Sequence, residues 1–510
     1  MSAGVTADAT KRLFNAALAQ IDGAGDARPY LAETLPELDS DSWRVFSDGR
    51  METTYRLKAD LTWHDGKALT ADDFVFAYRV YATPGLGTLE PAPQDRMEGV
   101  TAPDPRTVVV SWRELYPDAG SLRHAEFEPL PRHILAADFE QDLGETFLNL
   151  PYWSREFISA GPYRLANWEP GTSIEGLAFD RHALGRPRID RIIVRFVADE
   201  NTMLTSLLAG SVDIATDNSL RFEQAAVLKR DWEAQGKGVV LLDPVQPRLT
   251  NIQLRPELAN PRAFLELPVR RAIAYSVDKN AINEGLFDGQ VPLADQFLPR
   301  TVPYFAELDR AIVKYPFDLR QTEQQMAEAG YRKGADGFYA SAGGERFSMD
   351  HWVIGGSQNE KQSAIMADGW RRAGYEVREY AIPASQGTDG QVRATFPGLS
   401  SVATGGGERN LNFLTSAQIP SAGNRWRGNN RGAWANAEYD SLWAAFNTTL
   451  DRSTRTRQVL RMMRLATDDV AMLFLFHSPN VTAHVAGLKG PAIGAPDTLA
   501  IWNVYEWTLP

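Results

Sequence analysis

Tyr55–Phe76, YRLKADLTWHDGKALTADDFVF, is the stretch on which the reading of this chain turns. Thr53–Lys58 alternates polar and apolar residues, the period of a strand with one face buried. His64-Asp65-Gly66 then makes a turn, since Asp65 can bond its own backbone and Gly66 can take positive φ. His64 is read here as a structural turn residue. Thr70 follows as an N-cap, and Asp72 and Asp73 put negative charge in the first helical turn, where the dipole favours it. Phe74, Tyr78 and Tyr81 fall at helical spacing over Ala71–Ala82.

The same interleaving continues outward. Arg106–Trp112 is β-branched and follows the turn signal Pro103-Asp104-Pro105. Glu200–Ala209 places Leu204, Leu207 and Leu208 on one helical face, with Gly210 to end it and a strand at Val212–Ala215. The pattern predicts one helix over Pro268–Asn283 from Val269, Ile273, Ser276 and Val277. Ser357-Gln358-Asn359-Glu360 has the capping-box pattern, and Gly374 can close that helix. Asn436 can cap another, with Tyr439, Leu442, Trp443, Phe446 and Leu450 buried. Strands interleaved with helices imply an α/β protein whose sheets are covered by helices. Pro244–Pro261 is expected to be a loop crossing between lobes, and Gly387–Gly432 is the least regular stretch, as functional loops often are.

Composition limits the function. The 510 residues carry 53 Lys plus Arg against 65 Asp plus Glu, a net charge of -12 that disfavours phosphate-backbone binding. There is no cysteine, so disulfides, thiolate metal sites and a cysteine nucleophile are excluded. The most apolar stretch, Val470–Leu488, is interrupted by His477, Pro479 and His484, and no run reaches the roughly 18 residues of a membrane span. The amino-terminal MSAGVTADATKRLF has no apolar core of a secretion signal.

Motifs for chemistry are missing. No histidines lie at metal-ligand spacing, so no metal is expected. Gly355-Gly356-Ser357-Gln358-Asn359 ends in the wrong residue for a nucleophile elbow, and Gly405-Gly406-Gly407 is followed by Glu408-Arg409, which suits no phosphate loop. No catalytic residue and no cofactor are expected. Trp426 and Trp434 stand out because no periodic face demands them. Between Asp389 and Glu438 the only carboxylate is Glu408, against Arg393, Arg409, Arg425, Arg427 and Arg431. Such a run can recognise a carboxylate or phosphate by bidentate bonds, or form a solvated loop edge.

Taken in order, several segments resemble the extracytoplasmic solute-binding proteins of peptide/nickel-type (oligopeptide/dipeptide) ABC importers. They are Tyr55–Phe76, GPYRLANW at 161–168, RPRIDRIIVRFVADENTMLTSLLAGSVDIA at 186–215 and VRRAIAYSVDKNAI at 269–282. YPFDLRQTEQQMAEAGY, ending at Tyr331, and WANAEYDSLW at 434–443 match more weakly.

The resemblance implies a type II periplasmic-binding-protein clamshell with an extra subdomain in lobe one. Lobe one would comprise residues 1–18, 183–253 and 485–510, the inserted subdomain 19–182, and lobe two 254–484. A solute would be held between the lobes and passed to a membrane permease, by a monomeric protein on the outer side of the cytoplasmic membrane. Family members begin with a signal and a first strand that this chain is expected to lack. Peptide-binding members hold the peptide's ammonium group on an aspartate in a lobe-two loop, and the comparable Thr404–Asn410 offers only Glu408. The expected ligand is a peptide or amino-acid-derived solute, with an anionic opine or sugar conjugate as the alternative. A hydrolase or a non-transport peptide receptor stands behind both. The expected contacts are Trp426, Trp434, Glu408, Arg409, Asn410 and Arg431, with Phe476 and His477 near the carboxyl-terminal return.

Overall fold

The computed structural model describes residues 5–83, 86, 93–124, 126–141, 145–197, 199–216, 219–495 and 498–510. The chain divides into two compact units, one of residues 1–242, 447–450 and 481–510, the other of 243–446 and 451–480.

In unit one, Trp43–Val45, Met51–Arg56, Thr107–Trp112 and Met97–Asp104 form a four-stranded antiparallel sheet in that order. Alternation along Met51–Arg56 turns Met51, Thr53 and Tyr55 inward. Trp112 Nε1 donates to Thr53 Oγ1 at 2.9 Å, which satisfies both buried polar atoms. The helix Ala71–Tyr81 starts at Thr70, as its sequence signals. Its anchor is Asp73, buried at 5% exposure. That carboxylate accepts from Thr70 N–H at 2.8 Å, Arg132 N–H at 3.1 Å and Trp63 Nε1 at 3.3 Å. Phe74, Phe76 and Ala77 complete the face that joins the core.

A second antiparallel sheet in unit one joins Tyr163–Glu169, Ser173–Ala178 and Arg191–Arg195. The helix Glu200–Leu208 is capped by Asp199, which accepts from the N–H groups of Asn201 and Thr202, and Gly210 follows at φ +69°. Leu207 is buried, but Leu208 is exposed, because one residue of helix turns it about 100° away from the core. The strand after it is shorter than expected, Ile214–Ala215.

The first half of the expected loop over Pro244–Pro261 is instead the end of a long strand, Gly238–Ile252, and the rest is irregular. Its prolines are tolerated because the backbone stays extended. That strand and Met472–Val485 each run from one unit into the other. In unit two, Arg248–Ile252 pairs antiparallel with Leu399–Ala403. Ser348–Ile354 runs parallel to both Leu399–Ala403 and Glu376–Ile382. The helix Ser357–Ala373 makes the crossover between two of these parallel strands. Its N-cap is Gly356, one residue earlier than the capping pattern suggested, and Glu360 Oε1 accepts from Gly356 N–H at 3.0 Å. Gly374 closes it at φ +108°.

The single helix expected over Pro268–Asn283 is two, Leu267–Tyr275 and Lys279–Phe287. Asp278 breaks the run, because its side chain accepts from Ala281 N–H and so caps a new helix. The helix Ala437–Phe446 is capped by Asn436, whose Oδ1 accepts from Tyr439 N–H at 3.0 Å. Leu450 lies beyond its end and packs in unit one.

Candidate functional site

Unit one contains a cavity of about 470 Å³. Its wall is rich in aromatic rings, among them Phe14, Tyr81, Tyr152, Trp153, Phe157 and Trp168. Glu128 is the carboxylate in this wall, and Lys11 and Arg12 bring positive charge to it. Glu128 is fixed from two sides. Asn15 Nδ2 donates to Oε2 at 2.5 Å, and His124 Nδ1 lies 3.0 Å from Oε1. The Tyr81 hydroxyl donates to the Glu128 carbonyl at 3.0 Å, so main chain and side chain are both held. Burial, and secondarily the Glu128 charge, hold the Tyr81 phenol well above its ordinary range, so it stays a neutral donor. A volume of this size accommodates a small organic molecule, and rings plus charges of both signs suit one that is amphiphilic and zwitterionic.

None of these groups stands out in the sequence pattern. The available signal is an acid set among apolar and proline residues, Phe127-Glu128-Pro129-Leu130. Such a residue has no periodic face to explain it, and its neighbours in the cavity come from far along the chain.

The expected contacts all lie in unit two, and the structure sorts them. Trp434 is a core residue and not an open wall: it is 2% exposed, with its ring edge-on to Tyr439 and Nε1 donating to Asp469 Oδ2 at 2.6 Å. Phe476 is likewise core, packed edge-to-face on Phe287 with centroids 4.9 Å apart. Apolar surface of this size is stabilising only when removed from water, which is why both rings turn inward. Glu408 is engaged within unit two by the Tyr304 hydroxyl, and Arg455 Nη2 lies 3.8 Å from its Oε2. Arg409 and Asn410 are half-buried beside it, and the Asn410 amide lies against Gly405.

His477 is 2% exposed, and neither ring nitrogen has a partner at hydrogen-bonding geometry. Burial pulls its pKa down to about 4, against a weaker opposing influence of the Phe297 backbone, so the ring is neutral. Trp426 is half-buried in a left-handed turn, with φ of +55° at Arg425 and +58° at Trp426. Gly390 permits this approach, since a Cβ there would meet the Trp426 carbonyl at 2.5 Å. Arg431 is half-buried, and burial followed by the charge of Arg393 draws it down to about 9. No group of three or more metal-ligating side chains occurs among the described residues. No helix among them is long and apolar enough to cross a membrane.

Comparison with known proteins places the chain. Residues 33–421 match the family of bacterial extracellular solute-binding proteins, family 5, middle region. The oligopeptide-binding protein AppA of Bacillus subtilis is 22% identical over 96% of this chain and 85% of its own length. The fold is that of type II periplasmic binding proteins. An oligopeptide-binding protein from Thermus thermophilus, solved with a pentapeptide, superposes with a TM-score of 0.79 at 21% identity, covering 99% of this chain and 92% of that one. NikZ from Campylobacter jejuni, solved with Ni(L-His), gives 0.77 at 21% identity over 98% and 94%. The chain thus belongs to the family 5 bacterial extracellular solute-binding proteins, the peptide/nickel-type components that capture a solute outside the cytoplasm for an ABC importer.

Proposed function

We propose that the imported solute is a peptide or an amino-acid-derived compound and that the unit-one cavity contributes contacts to it. The observation that carries this reading is the composition of the wall itself: aromatic rings together with the Glu128 carboxylate and the cationic Lys11 and Arg12. An ammonium group matches the carboxylate, a carboxylate matches the cations, and the rings take the apolar part. The Bacillus subtilis relative is an oligopeptide-binding protein and the Thermus thermophilus structure holds a pentapeptide, which supports the same class here. The protein acts as a monomer, delivers its solute to permease subunits and performs no chemistry on it. An anionic opine or sugar conjugate is the second reading, favoured by the arginine excess between Asp389 and Glu438.

Native mass spectrometry of the purified protein, followed by denaturation and identification of the released molecule, tests this directly. A zwitterionic amino-acid derivative whose affinity falls at least tenfold in Glu128→Gln supports it. A solute without an ammonium group, or full affinity in that variant, rejects it. Prolonged incubation should return the solute unchanged.

A further inference from the structure

We propose that Arg393 and Arg431 together form an oxyanion site in unit two, taking a carboxylate or phosphate group. The inference concerns this unit alone and does not rest on the solute proposed for the unit-one cavity. Two segments distant in sequence are pinned to the end of one strand. Gln253 Nε2 donates to the Phe396 carbonyl at 2.7 Å and to the Ala394 carbonyl at 3.3 Å. Leu254 N–H donates to the Gly432 carbonyl at 2.8 Å. Arg393 and Arg431 are the residues next to Ala394 and Gly432, and the charge of Arg393 is felt at Arg431.

Neither guanidinium has a counter-charge among the described residues. Arg393 Nε is buried with no hydrogen-bond partner. The side-chain bond of Arg431 is to the neutral Asn429 Oδ1, at 3.1 Å. The nearest acid in sequence, Asp389, is used as a helix cap, accepting from the N–H groups of Gln391 and Val392. Glu408 is taken by Tyr304 and Arg455. Two buried arginines of the same unit are satisfied. Arg270 is bonded to Asp469, and Arg255 donates to the carbonyls of Ala394 and Pro420 at 2.6 and 2.8 Å. Two neighbouring guanidiniums kept half-buried without a carboxylate are costly. An oxyanion that accepts from both removes that cost, because each guanidinium fork can donate to a pair of oxygens.

The test uses the full chain in chloride buffer, titrated with inorganic phosphate or succinate at constant ionic strength and followed by thermal unfolding and calorimetry. One equivalent of either anion should bind saturably and raise Tm. Arg393→Gln and Arg431→Gln should be at least as stable as the native protein in chloride, because the repulsion is relieved, and should bind phosphate at least tenfold more weakly. Arg431→Lys keeps the charge but loses the fork, so it should bind with intermediate affinity; it also serves if the Gln variants do not fold. Phosphate excluded by a co-purified solute would identify the occupant as that solute's own anionic group, whereas unhindered binding would identify a separate ion. A native protein that responds to phosphate and succinate no more than to chloride overturns the proposal, as does an undiminished response in the Arg431 variants.

Discussion

The indole of Trp434 donates to Asp469 Oδ2 at 2.6 Å while Arg270 Nη2 holds the other carboxylate oxygen at 2.5 Å. One carboxylate therefore ties the start of the Trp434 segment to the first helix of unit two. Trp434→Phe removes one buried hydrogen bond and should cost about 1 to 3 kcal/mol. Asp469→Ala also strands the buried Arg270 charge and should cost about 3 to 5 kcal/mol. Denaturant unfolding measures both. Solute affinity should be unchanged in Trp434→Phe, whereas a ring lining the binding site would lose affinity there.

Acid should destabilise the protein well before its carboxylates are all protonated. Burial holds His64, His182 and His477 down to about 4 and His351 to about 3, so these rings are neutral when folded. Unfolded histidines titrate near about 6.5. Stability is thus fully present above about pH 6.5 and is lost as the pH falls toward about 4, because the unfolded chain takes up protons that the folded one refuses. Each such ring contributes a slope of about 1.4 kcal/mol per pH unit in that window. His351 is the cleanest probe, buried between the hydroxyls of Ser401 and Ser363 at 2.8 and 2.9 Å. Unfolding free energies at about pH 7 and about pH 5.5 should converge by about that slope in His351→Gln, and an unchanged slope would refute the assignment.

Asp73 links the start of a helix to two other parts of unit one. Asp73→Ala leaves the N–H groups of Thr70 and Arg132 and the indole of Trp63 without their acceptor. A loss of at least about 1 to 3 kcal/mol is expected. Asp73→Asn, which retains one carbonyl oxygen, should lose less, and chemical denaturation ranks the two.

Gly374 has no substitute. At φ +108°, a Cβ there would meet the Gly337 carbonyl at 2.9 Å and Lys333 Cε at 2.8 Å. Lysine can move, but the Gly337 backbone is held by its own turn, with its N–H on the Gly334 carbonyl at 3.0 Å. Gly374→Ala should cost about 1 to 3 kcal/mol, seen as a lowered Tm with solute affinity intact.

Local signals locate elements well wherever a single residue type controls the backbone. Thr70, Asn436, Gly210 and Gly374 mark helix ends because capping and left-handed φ are short-range demands. The break at Asp278 is invisible in the pattern because the apolar spacing runs through it, and only the side-chain bond to Ala281 shows that a second helix begins. The long strand Gly238–Ile252 is hidden by its prolines and polar residues, which suggest a loop until the neighbouring strand supplies the pairing.

The amino-acid order by itself determined the α/β class, the family resemblance carried by Tyr55–Phe76 and its companion segments, and the absence of cysteine chemistry. These rest on local periodicity, turn chemistry and composition, which need no knowledge of distant neighbours. Tertiary structure alone decided which polar and aromatic groups face open space. Trp434 and Trp426 occur in one irregular stretch, yet one is buried on Asp469 and the other sits in a half-buried turn. Glu408 and Glu128 are each held by other side chains, Glu408 by Tyr304 and Glu128 by Asn15 and His124, yet only Glu128 stands in the wall of the unit-one cavity. The difference lies in partners far away along the chain, and burial and electrostatic pairing depend on those partners and not on sequence neighbours.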